Sequence, residues 1–185
     1  MGMPDTLRRY TADEVLAFPS DGNRYEVVDG ELLVTPSPAA KHQIVLARLL
    51  TQLTIYLAPH ERVAIGIPAP ADIIRSEHEY VQPDLFVVPR AEVTGDWRDC
   101  RTLLLAVEIV SPSSARGDRL KKRRLYQRRG VATYWVVDPD AQLIEVWHPD
   151  DTRPEIIADI AHWRLTPDLP EMVVDLSKLF AELPG

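Results

Sequence analysis

The chain of 185 residues reads as an α/β protein of the mixed α+β kind, a mixed central sheet flanked by helices. Three observations predict this. Short strand-like runs are interspersed with two longer helical windows, in the approximate order αββαββββαββ. Asp29-Gly30 separates two of these runs, a tight-hairpin signal that requires antiparallel pairing. Residues 103–110 are almost unbroken apolar, as expected of a central strand covered on both faces.

Each element has a local cause. Thr11, with Glu14 three positions on, forms a capping box that opens a short helix to about Phe18. Residues 24–28 and 31–34 are the hairpin strands, and Pro36 and Pro38 stop the second. A helix spans about 39–58, with Ile44, Val45, Leu49, Leu53 and Leu57 near helical spacing and Pro59 ending it. Strand candidates follow at 63–67, 71–75, 81–88 and 103–110. Residues 116–129 read as a helix, with Gly130 placed for a left-handed cap. Two more strands, 134–138 and 143–147, flank the turn Pro139-Asp140. The remainder is broken by prolines and ends in an apolar segment, 176–183. No repeat or linker interrupts the pattern. A single domain over 1–185 is expected, with 1–22 an N-terminal helical extension and 149–185 a C-terminal one.

A hydrophobic content of 45% suits one soluble domain with a substantial core. No stretch approaches the roughly 18 apolar residues of a membrane span. The start of the chain has no apolar stretch that would serve as a secretion signal. The lone cysteine, Cys100, rules out an intramolecular disulfide, so cytoplasmic residence is expected. A net charge of −7 argues against coating nucleic acid by bulk attraction. Distribution matters more than the sum, however. From Arg119 to Arg129, seven of eleven residues are basic, a local cationic site on an acidic protein.

Two acids interrupt apolar strands: Asp84, heading Leu85-Phe86-Val87-Val88, and Glu108, after five apolar residues. A lone ionised carboxylate so placed costs several kcal/mol or neutralises, and two on neighbouring strands repel. A hard divalent cation, Mg²⁺ or Mn²⁺, resolves both problems. The plain alternative is an acid at each strand end, reaching solvent or an arginine. Asp118, Lys122, Tyr126 and, less well, Arg129 share one face of the basic helix. The start of that helix, and Lys122 with it, falls near the end of the Glu108 strand. A solvated cationic face is the competing reading.

The string Tyr25-Glu26-Val27-Val28-Asp29-Gly30-Glu31-Leu32, then Ser37-Pro38 and His42, resembles the opening of the Uma-two family of restriction endonucleases. Val81-Gln82-Pro83-Asp84-Leu85 is similar to that family's central motif. So is Val107-Glu108-Ile109-Val110-Ser111-Pro112-Ser113, followed by Asp118, Lys122, Tyr126, Gly130-Val131 and Tyr134-Trp135-Val136-Val137-Asp138-Pro139. The resemblance implies the PD-(D/E)XK nuclease fold and metal-dependent hydrolysis of nucleic acid. By position, Pro83-Asp84 is the "PD" and Glu108 the "(D/E)", the metal ligands. The motif lysine would fall at Val110, which carries neither proton nor charge, and the resemblance implies that Lys122 replaces it.

Glu31 is then a candidate third ligand or water-positioning base, and His42 a candidate contact for phosphate; the alternatives are an exposed hairpin acid and a surface neighbour. Arg119, Lys121, Arg123 and Arg129 are expected to hold the nucleic-acid backbone. Ser111, Asp118 and Tyr126 are accessory candidates, with a turn for Ser111 and helix anchoring for Tyr126 as plainer roles. Gln82 is left out of the site, and Asp72 is expected to find an arginine. The combined expectation is a Mg²⁺- or Mn²⁺-dependent endonuclease acting on DNA, for which a homodimer would suit paired cuts. Two alternatives stand: an inactive nucleic-acid- or protein-binding module on the same fold, and paired carboxylates acting on a sugar. The arginines disfavour the latter.

Overall fold

The computed structural model describes residues 8–184 apart from Ser113 and Arg116, and excludes the side chains of Arg75 and Arg98. The helix start expected at Arg116, Ser113 of the motif, the first seven positions of the N-terminal extension and Gly185 lie outside the described residues.

Thr11 caps α1 (Ala12–Leu16) through the expected reciprocal pair: its hydroxyl accepts from the Glu14 N–H, and the Glu14 carboxylate accepts from the Thr11 N–H. β1 (Arg24–Val28) and β2 (Glu31–Thr35) pair antiparallel around Asp29 at φ 55° and Gly30 at φ 81°, the left-handed pair that a two-residue turn demands. α2 (Ala40–Leu57) buries His42, Val45, Leu49, Leu53 and Leu57 along one stripe. β3 (Ala64–Pro68), β4 (Ile73–Ser76), β5 (Glu79–Val81), β6 (Leu85–Pro89) and β7 (Leu105–Ile109) follow. A wide π-helical segment, Gly117–Lys122, then runs into α3 (Arg123–Arg128), where a regular α-helix was expected throughout. β8 (Tyr134–Asp138) and β9 (Leu143–Trp147) occupy the expected positions.

Six strands form the main sheet in the order β10-β9-β8-β7-β6-β3, with β10 at Glu155–Ile157. Its neighbours are antiparallel except β7 and β8, which are parallel. A parallel pair cannot close with a tight turn, so the chain must cross over between them. That crossover contains the basic helical segment, which therefore packs over the sheet beside the end of β7. The smaller sheet has the order β2-β1-β5-β4. A further hairpin joins β11 (Ile160–Trp163) to β12 (Met172–Asp175), which leads into α4 (Leu176–Leu179).

The main sheet is buried on both faces. On one, Leu85, Val87, Leu105, Val107 and Ile109 pack with the α2 stripe and with Trp163, Met172, Val174, Leu176 and Phe180. On the other, Phe86, Val88, Ala106, Val110 and Val136 pack with Leu125, Tyr126 and Tyr134 and with Val28, Ile73 and Val81 of the smaller sheet. Truncating a central residue such as Leu53 in such a core costs about 2–5 kcal/mol.

Two further expectations change. Residues 81–88 are not one strand. The chain leaves the smaller sheet after Val81 and enters the main sheet at Leu85, passing through Gln82-Pro83-Asp84. Pro83 lacks the N–H that either sheet would need there. Residues 149–185, expected as an extension, add an edge strand to the main sheet and complete the core over α2. Proline obscured their strands, which are only three or four residues long.

Candidate active site

The crossing point between the two sheets concentrates the chemistry. Leu85 pairs with Val107, so the antiparallel register sets Asp84, one step outside the last pair, across from Glu108. The backbone N–H of Ile109 donates to Asp84 Oδ2 at 2.8 Å. His42, in the first turn of α2, meets the same oxygen through Nε2 at 3.0 Å. Arg24, on β1, donates to Asp84 Oδ1 at 2.7 Å and to the Gln82 carbonyl at 3.2 Å. Burial pushes the Asp84 carboxyl up, but His42, Arg24 and Lys122 outweigh it and hold the group well below the usual carboxylate range.

Glu108 has no solvent exposure. Its Oε1 accepts from the Tyr126 hydroxyl at 2.9 Å and lies 3.0 Å from Lys122 Nζ. Its Oε2 is buried with no hydrogen-bond partner. Burial, reinforced by Asp118, Asp84 and Glu26, pushes Glu108 well above the usual carboxylate range despite Lys122. Lys122 is itself 1% exposed, and its ammonium is ringed by Glu26 at 2.8 Å, Glu108 at 3.0 Å and Asp118 at 3.3 Å. Burial alone would strip its proton; these carboxylates hold it on and raise the group above the usual lysine range. Burial likewise raises Asp118 and Tyr126.

A cavity of about 480 Å³ opens over Asp84, bounded by the loops 20–24 and 35–39 and by His42, Gln82, Ile109, Ser111 and Ser114. A smaller one, about 210 Å³, reaches Glu26, Asp118 and Lys122, with Ser114 lining both.

The candidate residues thus fall into two groups. Asp84, Glu108, Lys122, His42, Asp118 and Tyr126 converge, and Ser111 lines the larger cavity, its hydroxyl 3.3 Å from that of Ser114. Tyr126 anchors the helix by donating to Glu108. Glu31 does not join them: it is exposed and ion-paired to Lys121. The inward acid of that hairpin is Glu26, which alternation places on the opposite side of the ribbon from Val27, and Glu26 was not singled out. The four basic residues expected to hold backbone are each engaged within the chain. Arg119 pairs with Asp138 and Glu145, Lys121 with Glu31, and Arg129 with Glu79. Arg123 donates to Gln127 and lies over the Trp147 ring at 4.7 Å from its centroid. The acids facing them come from other strands, which a count along the helix could not include. Arg129 also leaves the shared face at the helix end.

Asp72 accepts from Tyr80 and Gln82, and no arginine among the described side chains pairs with it. Gln82 belongs beside the site after all: its N–H donates to Glu26 at 2.8 Å, and it lines the larger cavity with Asp84. Arg24 and Glu26 were also legible in principle, since they stand two apart in a strand whose other inward residue, Val28, is apolar.

A mixed sheet with an acid at the start of one strand, an acid inside its neighbour and a buried lysine on the crossover defines a restriction-endonuclease-like protein. The chain belongs to the Uma2 family, described as "putative restriction endonuclease", whose pattern matches residues 12–177. Among solved structures it is similar to a protein from Anabaena variabilis ATCC 29413 titled a "putative nuclease belonging to DUF820". The two share 21% identity and a TM-score of 0.75 over 94% of this chain and 99% of the other. No curated protein sequence matches. No helix among the described residues is long and apolar enough to cross a membrane.

Among the described residues, no three His, Cys, Asp or Glu side chains form a ready metal cage. Hard divalent ions of the Mg²⁺ type need only one or two carboxylates, completed by water and phosphate. Asp84 with Glu108 fits that requirement, and Glu108 Oε2, buried without a hydrogen-bond partner, is an oxygen that a proton or a bound cation would satisfy. Charge agrees: among the described residues four buried acids, Glu26, Asp84, Glu108 and Asp118, face two permanent cations, Arg24 and Lys122, so a further cation would compete with the protons that burial favours on Glu108 and Asp118.

Proposed function

We propose that this protein is an endonuclease that hydrolyses phosphodiester bonds, with DNA as substrate and Mg²⁺ or Mn²⁺ as cofactor. The observation that carries the reading is Asp84 in register with Glu108, with the Lys122 ammonium 3.0 Å from the latter. Asp84 and Glu108 would hold the cation. Bound there, it would draw charge from the scissile phosphate and acidify the attacking water. Lys122 stays protonated and pre-positioned by three carboxylates, so it can offset charge developing on phosphate without reorganising. His42 and the Ile109 N–H fix the orientation of Asp84. Exposed ion pairs are weak, so Lys121 can exchange Glu31 for a phosphate, while Arg119, Arg123 and Arg129 would reach phosphate and keep their internal partners; binding then weakens as salt rises. The whole chain is read as one such domain, resident in the cytoplasm; a homodimer would let it make paired cuts.

The test is cleavage of plasmid and single-stranded DNA with Mn²⁺ by wild type, Asp84→Asn and Lys122→Met. Wild type should cut, a chelator should stop it, and Asp84→Asn should lose at least about a hundredfold. Cutting by Asp84→Asn at the wild-type rate would overturn the assignment. One observation favours a second reading, a binding module without catalysis: both Asp84 oxygens already have partners, and Glu108 is sealed from solvent. It requires DNA binding by calorimetry with no metal-dependent cleavage under any condition.

A further inference from the structure

Arg24 occupies an unusual place for a scaffold residue. Its guanidinium comes from β1 of the smaller sheet and ends on a carboxylate of the main sheet. Nη1 donates to Asp84 Oδ1 at 2.7 Å, while Nε lies 3.7 Å from Glu26 Oε2. The other Asp84 oxygen is taken by His42 and by the Ile109 N–H. Asp84 therefore has both oxygens engaged, whereas Glu108, across the strand pair, keeps Oε2 unpartnered. Arg24 also lines the 480 Å³ cavity, and its side chain is 20% exposed, which makes it the one strongly held cation of the cluster with access to solvent among the described residues. Lys122 is sealed at 1%.

A carboxylate oxygen that accepts a charge-assisted hydrogen bond along its lone pair cannot at the same time give that lone pair to a metal ion. A guanidinium and a divalent cation also repel at contact distance. The three-point hold leaves free only a lone pair of Oδ1, the oxygen that Arg24 holds, so a metal ion there meets the guanidinium charge and is favoured by its departure. The Ile109 N–H is fixed by the strand. His42 sits on the buried stripe of α2. Arg24, on a long flexible stem facing the open cavity, is the partner that can leave.

We infer that Arg24 is an exchangeable counter-cation: it holds Asp84 in the metal-free protein, competes with the divalent ion for that carboxylate, and on displacement turns its guanidinium to phosphate in the cavity. The inference rests on the metal site proposed above. It makes Arg24 a positioning residue whose removal should improve metal binding, the opposite of what a purely structural arginine or a ligand-supporting one would do.

Titration calorimetry with Mn²⁺ alone tests this on wild type, Arg24→Gln, Asp84→Asn and the double variant, with no nucleic acid present. Arg24→Gln should bind Mn²⁺ about tenfold more tightly or better, as loss of one competing charge-assisted contact implies. It should also melt at a lower temperature in EDTA and recover more on adding Mn²⁺. In the double variant the gain should vanish, because it acts through Asp84. If Arg24→Gln fails to fold, Arg24→Lys replaces it; a lysine cannot span both carboxylates, and the same direction of change is required. Unchanged or weaker Mn²⁺ affinity in a folded variant overturns the inference. The outcome is separable from that of the nuclease reading: tighter Mn²⁺ binding in a protein that never cuts DNA keeps Arg24's role and removes catalysis, whereas cutting with unaltered Mn²⁺ affinity does the reverse.

Discussion

The two sides of the crossover helix carry the same kinds of charge and use them differently. Inside, Lys122 is 1% exposed and touches three carboxylates. Outside, Arg128 and Arg129 remain 47% and 41% exposed while pairing with Asp29 and Glu79. The inner ammonium cannot be released without stranding buried acids. Arg128, whose partner Asp29 is exposed, can trade a carboxylate for a phosphate at little cost, while Arg129 also covers the buried Glu79. Charge density along a sequence is therefore a poor guide to what a charge does; burial and the number of partners decide.

Breaking the inner side should have the largest effect. Lys122→Met leaves Glu26, Glu108 and Asp118 without their shared cation and should lower stability by about 3–5 kcal/mol, read by urea denaturation. A loss under about 1 kcal/mol would mean that Lys122 is not what holds these acids in place, and the contrast with the outer side would fail.

Next comes pH. Below its ordinary value of 4.5, Glu108 is protonated in both folded and unfolded chains and contributes nothing. Above 4.5 the unfolded chain releases this proton while the folded chain retains it, so stability falls with rising pH until the raised value is passed. Asp84 has the opposite sign: its stabilisation is lost as pH drops below the ordinary 3.8. In EDTA, wild type should therefore lose about 1.4 kcal/mol per pH unit relative to Glu108→Gln within that window. Parallel stability profiles of the two proteins as pH rises above about 5 would contradict the upward shift of Glu108.

Tyr126→Phe removes one donor from Glu108 but leaves Lys122 in place, and should cost about 1 kcal/mol in the same denaturation assay. The smallest change belongs outside. Lys121→Ala, which frees only the exposed Glu31, should alter stability by about 0–1 kcal/mol, yet flatten the dependence of DNA binding on salt by about one unit of slope. A large stability loss there with no change in slope would assign the outer face to folding alone.

Much of this architecture was readable beforehand. The strands Arg24–Val28, Tyr134–Asp138 and Leu143–Trp147 fall where alternation and turn residues put them. Asp84, Glu108 and Lys122 stood out because a charge inside an apolar run demands an explanation. Glu26 carried the same signal in a strand already accounted for as half of a hairpin, and Glu31 drew attention that belonged to it. Arg24 gave only a weak local sign, its place two residues before Glu26 on β1. Its importance comes from Asp84, 60 positions away.

Local chemistry along the chain was enough to determine the class of fold, the tight hairpin, the capping box and the acids that interrupt the central strands, because turn preferences and side-chain periodicity act over a few residues. Tertiary structure alone decided that Pro83 passes the chain between two sheets, that Lys122 is shared by three carboxylates and that the outer arginines are paired. Those outcomes depend on which distant strands become neighbours, and electrostatic energy follows distance in space and exclusion of water rather than separation along the backbone.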